Sequence, residues 1–197
     1  MRQRKHGRDR HVLAAAVTLE YSGASMTPAR TLQLLAELGA SAWLVRHHEL
    51  VLEAAVLLCD RLHRELALAF DRELVLVGAA VHDAGKILHP DETRAEGHEH
   101  EAAGERLLRD HGVPTTIARF CVTHASWDAP NATLEDLLVA LADKLWRGKR
   151  IDDLEHRTAH LIARNTKREP WEIFDVLDTI CDAIAADGPA RLARSGG

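Results

Sequence analysis

The sequence predicts an all-α fold, and three observations lead there. Alanine and leucine dominate, aromatic residues are only 4% of the chain, and long β-branched runs are missing, which favours helix over strand. Only 12 Gly and 6 Pro interrupt 197 residues, so long stretches are free of breakers. Helix-capping residues recur in front of apolar stretches with helical spacing. The length suits one well-developed core. A net charge of -5 argues against a nucleic-acid coat or an anionic membrane surface, so neither membrane attachment nor stable nucleic-acid binding is expected.

The elements follow in order. Residues 1–10 are strongly basic and read as a disordered tail. The apolar stretch behind them is short and stops at Glu20, which argues against an export signal, and no stretch is long enough to span a bilayer. Thr27-Pro28 is an N-cap with proline at the first helical position, and Gly39 closes that helix. Ser41 caps a helix expected to run through Leu44, Val51, Ala55 and Leu58 to about Phe70. Asp71 caps the next, through Leu74, Val77 and Val81, ending at Asp83-Ala84-Gly85. Residues 87–96 are a polar loop containing Pro90. A helix from about His98 to His111 stops at Gly112, and Pro114 opens another to about Ala125. Thr133 caps Leu134 to Arg147, closed by Gly148. Two more helices cover 151–167 and 170–186, and Asp187-Gly188-Pro189 breaks the pattern before a short tail.

Thirteen histidines are many for this length. The most telling is His82, beside Asp83 at the end of an apolar stretch that carries both toward the interior. A buried carboxylate next to a buried imidazole is costly unless something compensates, and a metal cation compensates well. His47, His100, His124 and Asp143 lie on successive predicted helices, the arrangement in which bundle cores hold metals. The three cysteines, Cys59, Cys121 and Cys181, form no Cys-x-x-Cys pair and sit in apolar patterns. They read as core residues in a reducing, cytoplasmic compartment.

Five pieces carry a resemblance: His47 with Val51, Ala-Ala-Val-His-Asp-Ala-Gly-Lys at 79–86, His100-Glu101-Ala-Ala-Gly104, Thr123-His124, and Leu141-Ala142-Asp143-Lys144-Leu145. In this order they resemble the HD-domain superfamily of metal-dependent phosphohydrolases. The resemblance implies a helical bundle with a metal site in its core. In the family's six-ligand branch it implies two divalent ions. His47, His82, Asp83 and Asp143 would hold one, and Asp83 would bridge to a second held by His100 and His124. Such donors suit Fe or Mn first, then Co, Ni, Zn or Mg. Of each adjacent or near-adjacent pair, helical geometry turns only one member inward. The family pattern favours His47, with His48 the alternative, and His100, with His98 the alternative. The expected organisation is the tail, then one all-α domain over 11–197, with the metal-binding core at about 43–148 and C-terminal helices at about 151–187.

The implied activity is hydrolysis of a phosphomonoester or phosphodiester by metal-activated hydroxide. The implied substrate is a small phosphorylated metabolite, a nucleotide first among them. Asp83 and Lys86 would be catalytic, and Lys86 would also hold a phosphate oxygen. Arg147, Lys149 and Arg150 offer a basic rim, and Trp127 a stacking face, although a helix-terminus role for the cations and core packing for the tryptophan are the plainer readings. His156 and His160 read as a solvated face. Two alternatives use the same scaffold. One is a di-iron oxygenase cleaving a C–C or C–P bond, for which Glu20 and Tyr21 are conceivable substrate groups. The other is a catalytically silent signalling module, disfavoured because all six ligand types are present.

Overall fold

The computed structural model describes residues 26–93, 95 and 97–196. The basic tail over 1–10 and the candidates Glu20 and Tyr21 lie outside the described residues, among which there is no strand. The described residues form ten helices: α1 (Pro28–Glu37), α2 (Ala42–Leu66), α3 (Arg72–Ala79), α4 (Glu99–Asp110), α5 (Thr115–Ala118), α6 (Phe120–Thr123), α7 (Leu134–Leu145), α8 (Asp152–Thr166), α9 (Pro170–Ala186) and α10 (Gly188–Arg194). Two 3-10 turns, Ala84–Ile87 and Pro90–Thr93, lie between α3 and α4.

The caps are those the sequence advertises. Side chains of Thr27, Ser41, Asp71 and Thr133 accept the amides of Arg30, Leu44, Leu74 and Asp136. At α7 the Asp136 carboxylate also accepts the Thr133 amide, closing a capping box. Two helices form the centre. α2 buries Leu50, Val51, Ala54, Leu58 and Leu62 along one side and packs on α3, α7 and α9. In α7, ten of twelve residues are buried, so it is enclosed on all sides rather than amphipathic. Each of its leucines withdrawn from water contributes about 1.5–3 kcal/mol. α8 and α9 pair with each other and close the bundle against α7 and α2.

Four boundaries differ from the expectation. α2 stops at Leu66 instead of continuing to Phe70, because Ala67 turns left-handed (φ 50°) and returns its amide to His63. That conformation costs a non-glycine residue about 1–2 kcal/mol, and burial of the next residue, Leu68, offsets it. α3 ends at Ala79, and the chain tightens through Val81 N–H to Gly78 C=O (3.1 Å) into the first 3-10 turn. The helix expected from Pro114 to Ala125 is two short helices, which Val122 N–H to Arg119 C=O (2.9 Å) winds tightly at their junction. Finally, Asp187-Gly188-Pro189 does not end helical structure but begins α10. Proline is tolerated in a first turn, where its missing N–H is not needed. Arg191 then anchors α10 by bonding Glu53 of α2 (3.1 Å) and the Ile184 carbonyl (2.8 Å).

The Gly85–Gly104 contact fixes where α4 lies. A Cβ on Gly85 would fall 1.7 Å from the His100 carbonyl oxygen, and one on Gly104 would fall 2.6 Å from the Gly85 nitrogen. Only glycines let these backbones meet, and the meeting brings His100 to Asp83.

Candidate metal centre

Six side chains converge between α2, the α3 end, α4, α6 and α7. His47 Nε2 lies 3.0 Å from Asp83 Oδ2 and 3.3 Å from His82 Nε2. His82 Nε2 lies 3.3 Å from Asp143 Oδ1. On the other side, His100 Nε2 and His124 Nε2 lie 3.2 and 3.6 Å from Asp83 Oδ1. The donors therefore fall into two groups, His47 with His82 and Asp143, and Asp83 with His100 and His124. Asp83 directs one carboxylate oxygen at each group.

The hydrogen bonds behind these rings decide which nitrogen faces the centre. His82 Nδ1 bonds the Ala79 carbonyl and His124 Nδ1 the Phe120 carbonyl, each at 2.9 Å. His100 Nδ1 bonds Glu92 Oε2 at 2.5 Å. A carbonyl or carboxylate only accepts, so each Nδ1 carries the proton, and in the neutral ring Nε2 presents a lone pair. Those lone pairs face carboxylate oxygens. Acceptor against acceptor is repulsive in a buried site unless a proton or a cation lies between. Asp83 Oδ1 and His100 Nε2 are also buried without a hydrogen-bond partner. The donor set is all imidazole and carboxylate, which fits a divalent transition-metal ion.

The charges reinforce one another. Burial raises the Asp83 carboxyl, but His82, His100 and His47 outweigh it and hold it well below the usual range. Asp143 is likewise held low, against burial, by His82 and Lys144. Burial lowers His82, yet Asp83 and Asp143 leave it raised. Burial and neighbouring His82 push His124 down to about 4, so it stays neutral and keeps its lone pair.

His48 overturns the expectation that only one of the adjacent histidines points inward. Both are buried, because α2 is covered on both flanks. His48 Nδ1 bonds the Leu44 carbonyl (2.8 Å), and its Nε2 accepts the Asp83 amide (3.3 Å). Both nitrogens are thus used, Nδ1 on the backbone of its own helix and Nε2 on the backbone of Asp83. Burial, then His82 and His47, depress its pKa well below the ordinary value, which keeps Nε2 an acceptor. His98 is exposed, its side chain 90% accessible, and faces Glu101.

Lys86 Nζ lies 2.6 Å from Asp83 Oδ2, and Lys144 Nζ 2.6 Å from Asp143 Oδ2. Lys86 also lines a cavity of about 790 Å³ with Ser41, Trp43, Pro90, Asp91 and Thr93. Trp43 stacks on His47 at 5.6 Å with planes 4° apart, and Trp146 meets the same ring edge-on at 5.1 Å. Trp127 is half-buried against the core, Arg147 and Lys149 are exposed, and none of the three lines this cavity. Arg150 is turned away to Glu155, Asp178 and Asp182. Trp43, Glu92 and Lys144 are site residues that the sequence does not single out. Trp43 carries a readable signal, since it stands one helical turn before His47. A third group, His89, Glu92 and Glu99, lies at the surface. His156 is exposed, as expected, and stacks on Phe174 at 4.3 Å. No described helix is long and apolar enough to cross a membrane.

Among curated proteins, the chain is 28% identical to a tRNA (cytidine(56)-2'-O)-methyltransferase of Thermoplasma volcanium, over 59% of this chain and 36% of the relative. It is 25% identical to a protein of the same name from Picrophilus torridus, over 79% of this chain and 49% of the relative. The chain therefore spans at most about half the length of the curated relatives it matches. No solved structure matches it. The HD domain matches residues 28–148, the stretch that carries all six converging side chains. With the helical bundle, this shows that the chain belongs to the HD-domain family, whose members bind divalent metals and are typically hydrolases.

Proposed function

We propose that the chain is a metal-dependent phosphohydrolase acting on a small phosphorylated metabolite, with nucleotides the leading class. The observation that carries this reading is the shared carboxylate. Asp83 faces two buried donor groups, and its Oδ2 also meets Lys86, which opens onto a cavity large enough for a mononucleotide-sized ligand. His47, His82 and Asp143 would hold one ion, His100 and His124 a second, with Asp83 between. Iron or manganese suits these donors best. When bound, such cations lower the pKa of a water and neutralise phosphate charge. Lys86 holds one phosphate oxygen at the cavity wall. His48 keeps Asp83 in register through its backbone, and Trp43, stacked on His47, lines the same cavity.

The relatives are named for methyl transfer to tRNA. More than half of each lies outside the match. A buried imidazole–carboxylate cluster serves a cation rather than a methyl donor, which supports the hydrolase reading. The experiment is metal analysis of the purified chain, followed by phosphate-release assays on nucleoside mono-, di- and triphosphates and a diester. Release that depends on added Mn²⁺ and disappears with chelator supports the proposal. Bound metal with no release, and oxygen consumption in the presence of Fe²⁺, would move the assignment to an oxygenase.

A further inference from the structure

Among the histidines of the two donor groups, His100 alone has its Nδ1 on a carboxylate. His82 and His124 use backbone carbonyls, and His47 Nδ1 is buried without a partner. The carboxylate is Glu92, on the second 3-10 turn, and it does two things at once. Oε1 accepts the Glu99 amide (3.2 Å) and Oε2 the His100 amide (3.4 Å), at the start of α4, where the N-cap His98 supplies no side-chain bond. Oε2 also accepts from His100 Nδ1. The loop is shaped to admit this group, since a Cβ on Gly97 would fall 2.4 Å from Glu92 Cδ. A carboxylate on Nδ1 fixes the ring and makes Nε2 a stronger donor than a carbonyl does.

We propose that Glu92 is a positioning residue that sets the affinity of the second ion position, formed by Asp83, His100 and His124, and leaves the first unchanged. The proposal rests on the two-ion reading above. It makes the two positions unequal: the second depends on a loop residue whose neighbours Pro90, Asp91 and Thr93 line the cavity. A group that moves this loop therefore also moves a ligand's support.

The test is calorimetric titration of Mn²⁺ into the metal-free full chain, with helicity followed by circular dichroism. Two binding events are expected in the unmodified protein, and His124→Ala identifies the second by deleting it. Glu92→Ala weakens that event about 10- to 100-fold and spares the first. Glu92→Gln, whose carbonyl oxygen still accepts from Nδ1, weakens it less. Gly97→Ala, which expels the carboxylate, reproduces the alanine result. Equal weakening of both events together with lost helicity would reduce Glu92 to a helix cap, and an unchanged second event would overturn the proposal outright. A single event in the unmodified protein would sink the two-ion reading, and this inference with it. Should Glu92→Ala fail to fold, the glutamine variant decides alone, because it keeps one of the two capping oxygens.

Discussion

The metal-centre end of the bundle and its C-terminal end both bury charge, in opposite ways. Around Arg150 the charges are matched. Its guanidinium is shared by Glu155, Asp178 and Asp182, and the buried Glu155 meets it with both oxygens. Arg191 is likewise held by Glu53 and a carbonyl. At the other end, two carboxylates and four imidazoles share one buried space, and His124 is held neutral with its lone pair toward Asp83. Three of the four buried side-chain atoms without a hydrogen-bond partner, among the described residues, are there: His47 Nδ1, Asp83 Oδ1 and His100 Nε2. The fourth, Arg191 Nη2, stands 3.9 Å from Asp187. A matched buried charge is architecture. An unmatched cluster of acceptors is a place made for something else.

The sharpest way to break this contrast is to remove a ligand. His82→Ala and Asp83→Ala are each expected to cost more than about 100-fold in metal affinity and to abolish turnover, while the chain stays folded. Metal content and circular dichroism check this, and full activity in either variant would refute it. At the opposite end, Glu155→Ala leaves Arg150 without its buried, two-oxygen partner. It should cost about 3 kcal/mol of unfolding free energy with metal content unchanged, as read by denaturant titration. If metal were lost instead, the two regions would not be separable. Lys86→Ala sharpens the chemical side: metal is retained and turnover falls about 10- to 100-fold. Unchanged kinetics would make Lys86 ordinary surface.

The smallest effect concerns Asp136. Burial pushes its carboxyl up, but hydrogen bonds from Thr133 and Thr123, with Arg119, outweigh this and hold its pKa below the ordinary value. Its stabilisation is therefore present above the unfolded carboxyl value and lost as pH falls through the lower folded one. Asp136→Asn should cost about 1 kcal/mol at neutral pH. The gap should begin to narrow in melts taken below about pH 3.9 and close below the lower folded value, and a gap independent of pH would show that charge is not involved.

Much of the fold and of the site is readable in the chain. The capping residues Thr27, Ser41, Asp71 and Thr133 mark helix starts because each supplies its oxygen locally. The order of His47, His82-Asp83, His100, His124 and Asp143 names the six side chains that converge, through the motif resemblance and not through helical spacing, which does not separate His47 from His48. The hidden part depends on distant packing. Ala67 carries no breaker signal, because its left-handed turn is enforced by the burial of Leu68. His48 looks like a rival of His47 until its partner, the Asp83 amide, is seen 35 positions away. Glu92 sits in a polar loop, and nothing in its sequence neighbourhood announces that it reaches His100.

The two indoles that bracket His47 have an optical consequence. Trp43 lies flat against the imidazole and Trp146 touches its edge, whereas Trp127 and Trp171 belong to other parts of the surface and core. A paramagnetic cation arriving at that imidazole is expected to quench these two of the protein's four tryptophans, so intrinsic fluorescence becomes a label-free gauge of occupancy at the His47 group.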